Sequence, residues 1–109
     1  MPVRLDEDAR FRLLRLIAAN PDISQRELSR RLGVSLGRVN YCLNALIEKG
    51  LVKMECFRVS DRKLSYAYVL TPGGLGEKTR LTRGFLARKV VEYEALKAEI
   101  ESIQSELRQ

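Results

Sequence analysis

The residues of this sequence whose types and spacing indicate a function are basic, and they recur at short intervals. The chain has 20 Lys and Arg residues against 14 Asp and Glu residues, which gives a formal charge of +6 and a pI of about 9.7. Nine of the basic residues lie between positions 23 and 66, where only four acidic residues occur. Such a surface binds polyanions, although it also suits membranes and acidic partners. Charge alone therefore indicates a class of partner without identifying it.

Catalysis is disfavoured, because the residues that commonly carry it are missing from the sequence. The chain has no His, so a Ser/His/Asp triad is excluded and the commonest metal ligand is absent. Cys42 and Cys56 cannot complete a four-ligand zinc site alone. The glycines at 73–76 lack the spacing of a phosphate-binding loop. We therefore expect a binding protein with no enzyme activity, no metal and no cofactor.

Length and hydropathy bound the class of protein. The 109 residues, 45% of them hydrophobic, suffice for one small domain with one element left over. No run approaches the roughly 18 apolar residues of a spanning helix, and the N-terminus lacks the pattern of a signal peptide. We expect a soluble, cytoplasmic protein that does not bind membranes and keeps Cys42 and Cys56 reduced. Cys42 is expected in the core, with redox sensing by either thiol as the alternative.

Hydrophobic spacing and capping signals predict two short helices at the start of the chain. Apolar residues recur at helical spacing from Asp6 to Ala19, and the acidic residues 6–8 lie at the positive end of the helix dipole. A second helix follows Ser24, because Ser24 and Glu27 form a capping box in which the glutamate also reaches back to the serine amide. This helix is expected to end at Gly33, where a left-handed conformation costs little.

A third helix and a hairpin are predicted next. Ser35 caps the third helix, which closes at residues 49–50 and has one apolar face, formed by Val39, Cys42, Leu43 and Leu46. After Gly50 the pattern alternates between apolar and polar residues, which predicts two strands joined by a basic tip at residues 60–63. The expected fold is mainly α with a small β-hairpin wing.

The remainder of the chain predicts one long helix from Thr71-Pro72 to the C-terminus. Gly73, Gly74 and Gly76 each cost about 1 kcal/mol in a helix interior, so we expect its first turns to be frayed or broken. The five basic residues between positions 78 and 91 would either approach phosphates or form a solvated face.

A heptad pattern from residue 86 onward indicates self-association through this helix. Positions a and d are apolar apart from Lys89, and the expected dimer contacts are Leu86, Tyr93, Leu96, Ile100, Ile103 and Leu107. In a parallel dimer Glu92 would pair with Lys97 of the other copy. An antiparallel dimer, and packing of the helix on its own Phe11 and Leu14 face, remain open.

Residues 25–44, QRELSRRLGVSLGRVNYCLN, resemble a helix-turn-helix segment in which Gly33 makes the turn and Ser29 is small where the helices cross. Three helices followed by a hairpin are the order of a winged helix-turn-helix over about residues 5–70, with an unrelated three-helix bundle as the alternative. The stretch LGVSLGRVNYCLNALIEKGLV, with SDRK in the wing and LTPGG after it, resembles MarR-type bacterial transcriptional regulators. The length and the long C-terminal helix resemble most the small MarR-related group associated with exopolysaccharide biosynthesis genes.

This resemblance implies a sequence-specific transcriptional regulator that binds double-stranded DNA as a homodimer. Its third helix would enter the major groove and present Leu36, Gly37, Arg38, Asn40, Tyr41 and Asn44. Arg38 suits bidentate contact with guanine, and Asn40 or Asn44 suits adenine. Phosphate contacts are expected at helix N-termini from Ser24, Gln25 and Ser35. The implied domains are residues 1–74 for DNA binding and residues 75–109 for dimerisation.

The wing departs from the family pattern. Relatives commonly carry Asp-x-Arg, whereas this chain has Asp61-Arg62-Lys63. Either Arg62 enters the minor groove or the wing contacts only phosphates, and we expect DNA contacts from Arg58, Arg62 and Lys63. The alternative function is a winged-helix module that docks a protein or RNA partner. The sequence gives no indication of a small-molecule effector.

Overall fold

Helices α1, α2 and α3 come first along the chain, then a hairpin of strands β1 and β2, and finally helix α4. The computed structural model describes residues 7–109, with the side chain of Phe57 excepted. The bounds are α1 Glu7–Ala19, α2 Gln25–Leu32, α3 Leu36–Glu48, β1 Val52–Ser60, β2 Lys63–Leu70 and α4 Pro72–Leu107. This confirms the predicted architecture, mainly helical with a small β-hairpin wing and a long C-terminal helix. Asp6, the expected start of α1, lies outside the described residues.

The short helices begin and end at the residues that carry capping signals. Ser24 has extended backbone, and its hydroxyl oxygen accepts a hydrogen bond from the Glu27 amide at 3.1 Å. Ser35 does the same for the Arg38 amide, also at 3.1 Å. Each cap satisfies one of the amides that a helix N-terminus otherwise leaves without a partner. Gly33 closes α2 with a φ of 69°, a left-handed conformation in which a Cβ would be strained.

The core lies where α1, α2, α3 and the first turns of α4 meet. The apolar face predicted for α3 is buried, which confirms that the opposite face of this helix points outward. Burial of a Leu or Ile side chain stabilises the fold by roughly 1.5–3 kcal/mol, so this cluster fixes the helix orientations. Its members include Phe11, Leu13, Leu14, Ile17, Leu28, Val39, Leu43, Leu46, Val52 and Leu81.

The hairpin is anchored at one end only. Strands β1 and β2 pair antiparallel from Val52 opposite Leu70 to Ser60 opposite Lys63, and residues 61–62 form the turn. Val52 is 1% exposed, whereas Met54, two residues further along the same face, is 53% exposed. The basic tip therefore stands clear of the body of the protein.

Helix α4 corrects one expectation, because its first turns are neither frayed nor broken. It runs without interruption from Pro72, and the Thr71 hydroxyl caps it by accepting from the Gly74 amide at 3.0 Å. Gly74 is buried against the backbone of Leu51, so close that a Cβ there would lie 1.9 Å from the Leu51 carbonyl oxygen. A glycine that costs stability in an isolated helix is thus required here by close packing.

The rest of α4 divides into a packed root and a projecting tail. In the root, Leu81 is buried and Phe85 stacks on Phe11 of α1 with ring centroids 4.6 Å apart. The tail, residues 86–107, extends into solvent, and the molecule measures 73 × 30 × 25 Å along its principal axes. Apolar packing of this helix on its own α1 is therefore confined to the root. Within residues 7–109, no helix has the length and apolar character needed to span a membrane.

Candidate nucleic-acid interface

The outward side of α3 carries a continuous exposed surface. All six predicted residues of this helix are exposed, on the side opposite the buried Val39, Cys42 and Leu43. They are Leu36, Gly37, Arg38, Asn40, Tyr41 and Asn44. Residues spaced by three and four positions share one face of a helix, so 37, 40, 41 and 44 form a single line along it. A helix that presents such a line can lie along the edges of successive base pairs.

A chain of hydrogen bonds connects this line with α2 and with the wing. All of its bonds join side chains. Gln25 Nε2 donates to the Tyr68 hydroxyl at 3.0 Å, and Asn40 Nδ2 donates to Gln25 Oε1 at 3.4 Å. Asn44 Nδ2 then donates to Asn40 Oδ1 at 3.1 Å. We call these four residues the amide chain. It fixes polar side chains from three different elements relative to one another.

Tyr68 is a member of this surface that the sequence did not single out. Its hydroxyl reaches Gln25, 43 positions earlier, and its backbone amide donates to the Pro21 carbonyl at 3.1 Å. The only signal in the sequence is a tyrosine within a strand, where a polar tip on an apolar ring commonly finds a hydrogen-bond partner. Its partner cannot be identified without knowing how the wing folds against α2.

The turn between α2 and α3 is closed by hydrogen bonds from one small residue. The Ser29 carbonyl accepts from the amides of Gly33 at 2.9 Å and Val34 at 3.2 Å. The Ser29 hydroxyl in turn donates to the Val34 carbonyl. A residue without this hydroxyl would lose the bond to the Val34 carbonyl, so the turn between the two helices depends on Ser29 as well as on Gly33.

The capping box of α2 is only half formed, which corrects the sequence prediction. The Glu27 carboxylate does not return to the Ser24 amide but accepts from Arg30 and from Arg31, with both guanidinium Nε atoms at 2.9 Å. These hydrogen bonds favour the ionised carboxylate and lower the pKa of Glu27 from 4.5 to about 2. Arg30 and Arg31 are therefore paired side chains rather than independent surface charges.

Unlike the two arginines of α2, the predicted DNA-binding cations of α3 and of the wing have no acidic partner among residues 7–109. Arg38, Arg58, Arg62 and Lys63 are exposed, and none of them forms an ion pair with another residue in the described part of the chain. Arg58 lies at an irregularity of β1, and Arg62 lies in the two-residue turn at the tip. Their charges are available to an external anion without the loss of an internal salt bridge.

The basic residues of α4 are largely committed to contacts within the chain. Arg88 pairs with Asp8 at 2.5 Å and lies 3.7 Å from Glu7, so it ties α4 to the start of α1. Arg80 pairs with Glu77 and also lies 3.7 Å from Glu7. The sequence predicted either phosphate contacts or a solvated face for this basic stretch. In the structure Arg80 and Arg88 instead connect α4 to the start of α1.

The two cysteines differ in burial and are not joined in a disulfide. Cys42 is buried and lines a cavity of about 210 Å³ between α1 and α3, together with Arg12 and Arg38. Cys56 is exposed on β1. Within residues 7–109, no group of three or more His, Cys, Asp or Glu side chains is placed to hold a metal ion.

Comparison with known proteins agrees with this geometry. Residues 6–53, which include α1, α2 and α3, match a family model described as winged helix-turn-helix DNA-binding. No curated protein matches the sequence.

Similar solved structures include the zinc-dependent MarR family transcriptional regulator AdcR in its Zn(II)-bound state, with 20% identity and a TM-score of 0.62 over 91% of this chain and 64% of that chain. The transcriptional regulator SlyA is 19% identical with a TM-score of 0.68 over 90% of this chain and 68% of that chain. A mutant of MepR from S. aureus bound to an oligodeoxyribonucleotide is 20% identical, with a TM-score of 0.62 over 94% and 78%. This chain thus spans less than two thirds of AdcR, and the likeness establishes a shared fold.

Proposed function

We propose that this chain, which has the winged helix-turn-helix fold of MarR-type regulators, is a sequence-specific DNA-binding regulator of transcription that acts as a homodimer. The observation that carries the proposal is the exposed side of α3, which presents the Arg38 guanidinium together with two carboxamides that hydrogen bonds hold in place. The match of residues 6–53 to a DNA-binding family model supports it. So does the likeness to MepR, a protein whose structure holds an oligodeoxyribonucleotide.

In this proposal α3 enters the major groove, which is wide enough to admit one helix. Arg38 contacts guanine through both of its terminal nitrogens, and Asn40 or Asn44 contacts adenine. Leu36, Gly37 and Tyr41 lie on the same exposed side and complete the contact with the groove.

The N-termini of α2 and α3 grip the phosphates on either side of that groove. The hydroxyl oxygens of Ser24 and Ser35 accept from amides of their own helices, which leaves each hydroxyl proton free to donate to a phosphate. Gln25 begins α2 beside Ser24 and points toward Tyr68, so it can contribute a further N–H. From the wing, Arg58, Arg62 and Lys63 reach the flanking backbone or the minor groove.

The partner of the α4 tail is a second copy of the chain. The predicted contact residues have exposures between 46% and 84%, which is unusual for side chains of this kind in a helix without a partner. They form one stripe along the tail, namely Leu86, Tyr93, Leu96, Ile100, Ile103 and Leu107. Two such stripes can bury each other as a coiled coil. Residues 75–109 then serve as the dimerisation helix, and residues 1–74 as the DNA-binding domain.

Charges beside the stripe favour a parallel arrangement. The g positions are all glutamate, at 92, 99 and 106, and the e positions include Lys97. A parallel pair places Glu92 against Lys97 of the second copy, whereas an antiparallel pair places the three glutamates of one copy against those of the other. Lys89, at a d position, already contacts Glu92 at 3.1 Å and lies 5.2 Å from the centre of the Phe85 ring. Lys89, the one polar a or d position, therefore has partners within its own helix.

Binding of the full-length protein to DNA tests this function. We expect one preferred duplex to be selected from a randomised library, with an affinity that falls steeply as salt rises. If the three wing cations of both copies contact phosphate, the slope of log K against log salt is about −5. Equal affinity for unrelated duplexes would instead support a module that docks a protein or RNA.

The class of target genes is part of the same proposal. Exopolysaccharide biosynthesis genes are implied by the resemblance of the sequence to the small MarR-related group. A footprint on the promoter of such genes, or on the promoter beside the regulator's own gene, is the expected result. Protection of neither promoter by a protein that selects a specific duplex would contradict the target class and leave DNA binding intact.

A further inference from the structure

We infer that Asn44, and not Asn40, is the amide of α3 that reads adenine, and that the Tyr68 hydroxyl is the positioning group that determines this. The inference rests on the proposed function, since it concerns how the α3 surface distinguishes one base pair from another. It follows from the direction and the ends of the amide chain.

Asn40 is an internal member of that chain. Its amide nitrogen donates to Gln25 at 3.4 Å, and its carbonyl oxygen accepts from Asn44 at 3.1 Å. This carboxamide is therefore held at both of its polar ends before any DNA arrives, with one N–H and one oxygen lone pair left over. Asn44 is the terminal member, because it donates one N–H while its carbonyl oxygen accepts no hydrogen bond from residues 7–109.

Adenine demands two different groups from one side chain. In the major groove it presents N7 as an acceptor and the N6 amino group as a donor, so a reading carboxamide needs both an N–H and a carbonyl oxygen. Asn44 can turn its carboxamide about its one hydrogen bond to present both groups. Asn40 also keeps one N–H and one oxygen lone pair, but its hydrogen bonds with Gln25 and Asn44 fix the plane of its carboxamide. Any rotation of that carboxamide to meet adenine would break at least one of these bonds, which weakens the gain from reading the base. In its fixed orientation Asn40 suits a single contact with guanine O6, thymine O4 or a phosphate.

Tyr68 determines which residue lies at the end. Its side chain is half-buried, and its backbone is held to Pro21 by a 3.1 Å hydrogen bond, so the hydroxyl is a fixed point for Gln25. A hydroxyl can donate as well as accept. If every hydrogen bond of the chain were reversed, Asn40 would still be internal and Asn44 would still be terminal. The assignment therefore depends on the anchor at Tyr68 and not on the polarity of the chain.

The anchored chain also lowers the cost of binding. A carboxamide on an exposed helix loses rotamer freedom when it binds a base, and a side chain already held in place loses less. Removing the Tyr68 hydroxyl would release Gln25, then Asn40, then Asn44. Discrimination at one base pair would fall although no atom that touches DNA had been changed.

Selection from a randomised duplex library by the full-length protein tests the assignment, using wild type, Asn44→Ala, Asn40→Ala and Tyr68→Phe. We expect wild type to select an A·T pair at one position of each half-site. Asn44→Ala should reduce that preference roughly 5- to 150-fold, the range that corresponds to about 1–3 kcal/mol for one bidentate contact. Asn40→Ala removes the side chain that holds Asn44, so it should weaken the preference for adenine several-fold without abolishing it. Tyr68→Phe should weaken it several-fold with an unchanged salt slope.

Tyr66→Phe is the matched control, because Tyr66 is an exposed tyrosine two residues away on the same face of β2. It should leave the preference unchanged. In Tyr68→Phe/Asn44→Ala the two losses should not add, since Tyr68 acts through Asn44. Thermal unfolding of each variant separates a loss of base discrimination from a loss of folded protein.

Three results would overturn the inference. They are loss of the adenine preference in Asn40→Ala but not in Asn44→Ala, a Tyr68→Phe variant that behaves like Tyr66→Phe, and full additivity in the double variant. The inference would also fail if wild type selects one sequence and both asparagine variants select the same sequence with the same preference. The proposed function would stand in that case. A wild type that selects no sequence would overturn both.

Discussion

Substitution of two glycines in the first turns of α4 probes how this helix is fixed to the rest of the protein. A Cβ at position 74 would lie 1.9 Å from the Leu51 carbonyl oxygen and 2.9 Å from its carbonyl carbon. Carbon and oxygen atoms normally approach to about 3.3 Å, so the backbone would have to move by more than 1 Å. A Cβ at Gly76, two residues further on, meets no atom within 4 Å.

The two sites should therefore respond in opposite directions. Replacing a helical Gly by Ala stabilises the helix by about 1 kcal/mol, so Gly76→Ala should raise the free energy of unfolding by that amount. Gly74→Ala has the same intrinsic gain, but overpacking against backbone costs about 1–3 kcal/mol, and contact with a main-chain atom belongs at the upper end. The net loss is about 2 kcal/mol. For a domain of this size, Tm should rise by about 4–8 °C in the first variant and fall by about 8–16 °C in the second.

Thermal unfolding followed by circular dichroism measures both shifts. All samples should have one protein concentration, because Tm of a dimer depends on concentration. Equal increases in Tm for the two variants would refute the close approach of Gly74 to Leu51. Equal decreases would refute the open environment of Gly76.

Three further predictions concern charge and assembly. The pKa of Glu27 is lowered from 4.5 to about 2, so its ion pairs stabilise the fold fully above pH 4.5, and this contribution is lost as the pH falls toward 2. The difference in unfolding free energy between wild type and Glu27→Gln should therefore shrink from pH 4.5 to pH 2, and a constant difference would contradict the ion pairs. Leu96→Asp should give monomers at micromolar concentration by analytical ultracentrifugation, whereas Ala98→Asp on the outer side of the helix should remain dimeric; dimers in both would reject the α4 interface. Arg62→Ala should weaken binding to all duplexes alike and reduce the magnitude of the salt slope by about 1 per wing, and an unchanged slope would exclude a phosphate contact.

Local signals in the sequence predicted the helix ends and the buried face of α3 correctly. Ser24, Ser35 and Gly33 act within three or four residues of their own position, so their neighbours in the chain are enough to reveal them. Heptad spacing likewise indicated the stripe of α4, because helical periodicity depends on nothing outside the helix.

Contacts between distant parts of the chain account for what the sequence did not reveal. Gly74 was expected to weaken α4, since the Leu51 carbonyl that it packs against lies in the connection between α3 and β1, 23 residues earlier in the chain. Tyr68 was missed because its partner Gln25 lies 43 residues away, and Arg88 finds Asp8 across 80 residues. The half-formed capping box at Glu27 reflects competition, because two arginines offer the carboxylate stronger, charge-assisted hydrogen bonds than one backbone amide does.

A comparison of specific with non-specific affinity tests the central claim most directly. The full-length protein would be bound to the duplex that it selects and to an unrelated duplex of equal length, at one salt concentration near the physiological value. The account predicts a selected site with two related halves about 10 base pairs apart, bound roughly 10³-fold or more tightly than the unrelated duplex. Equal affinity for the two duplexes would contradict sequence-specific DNA binding by this protein.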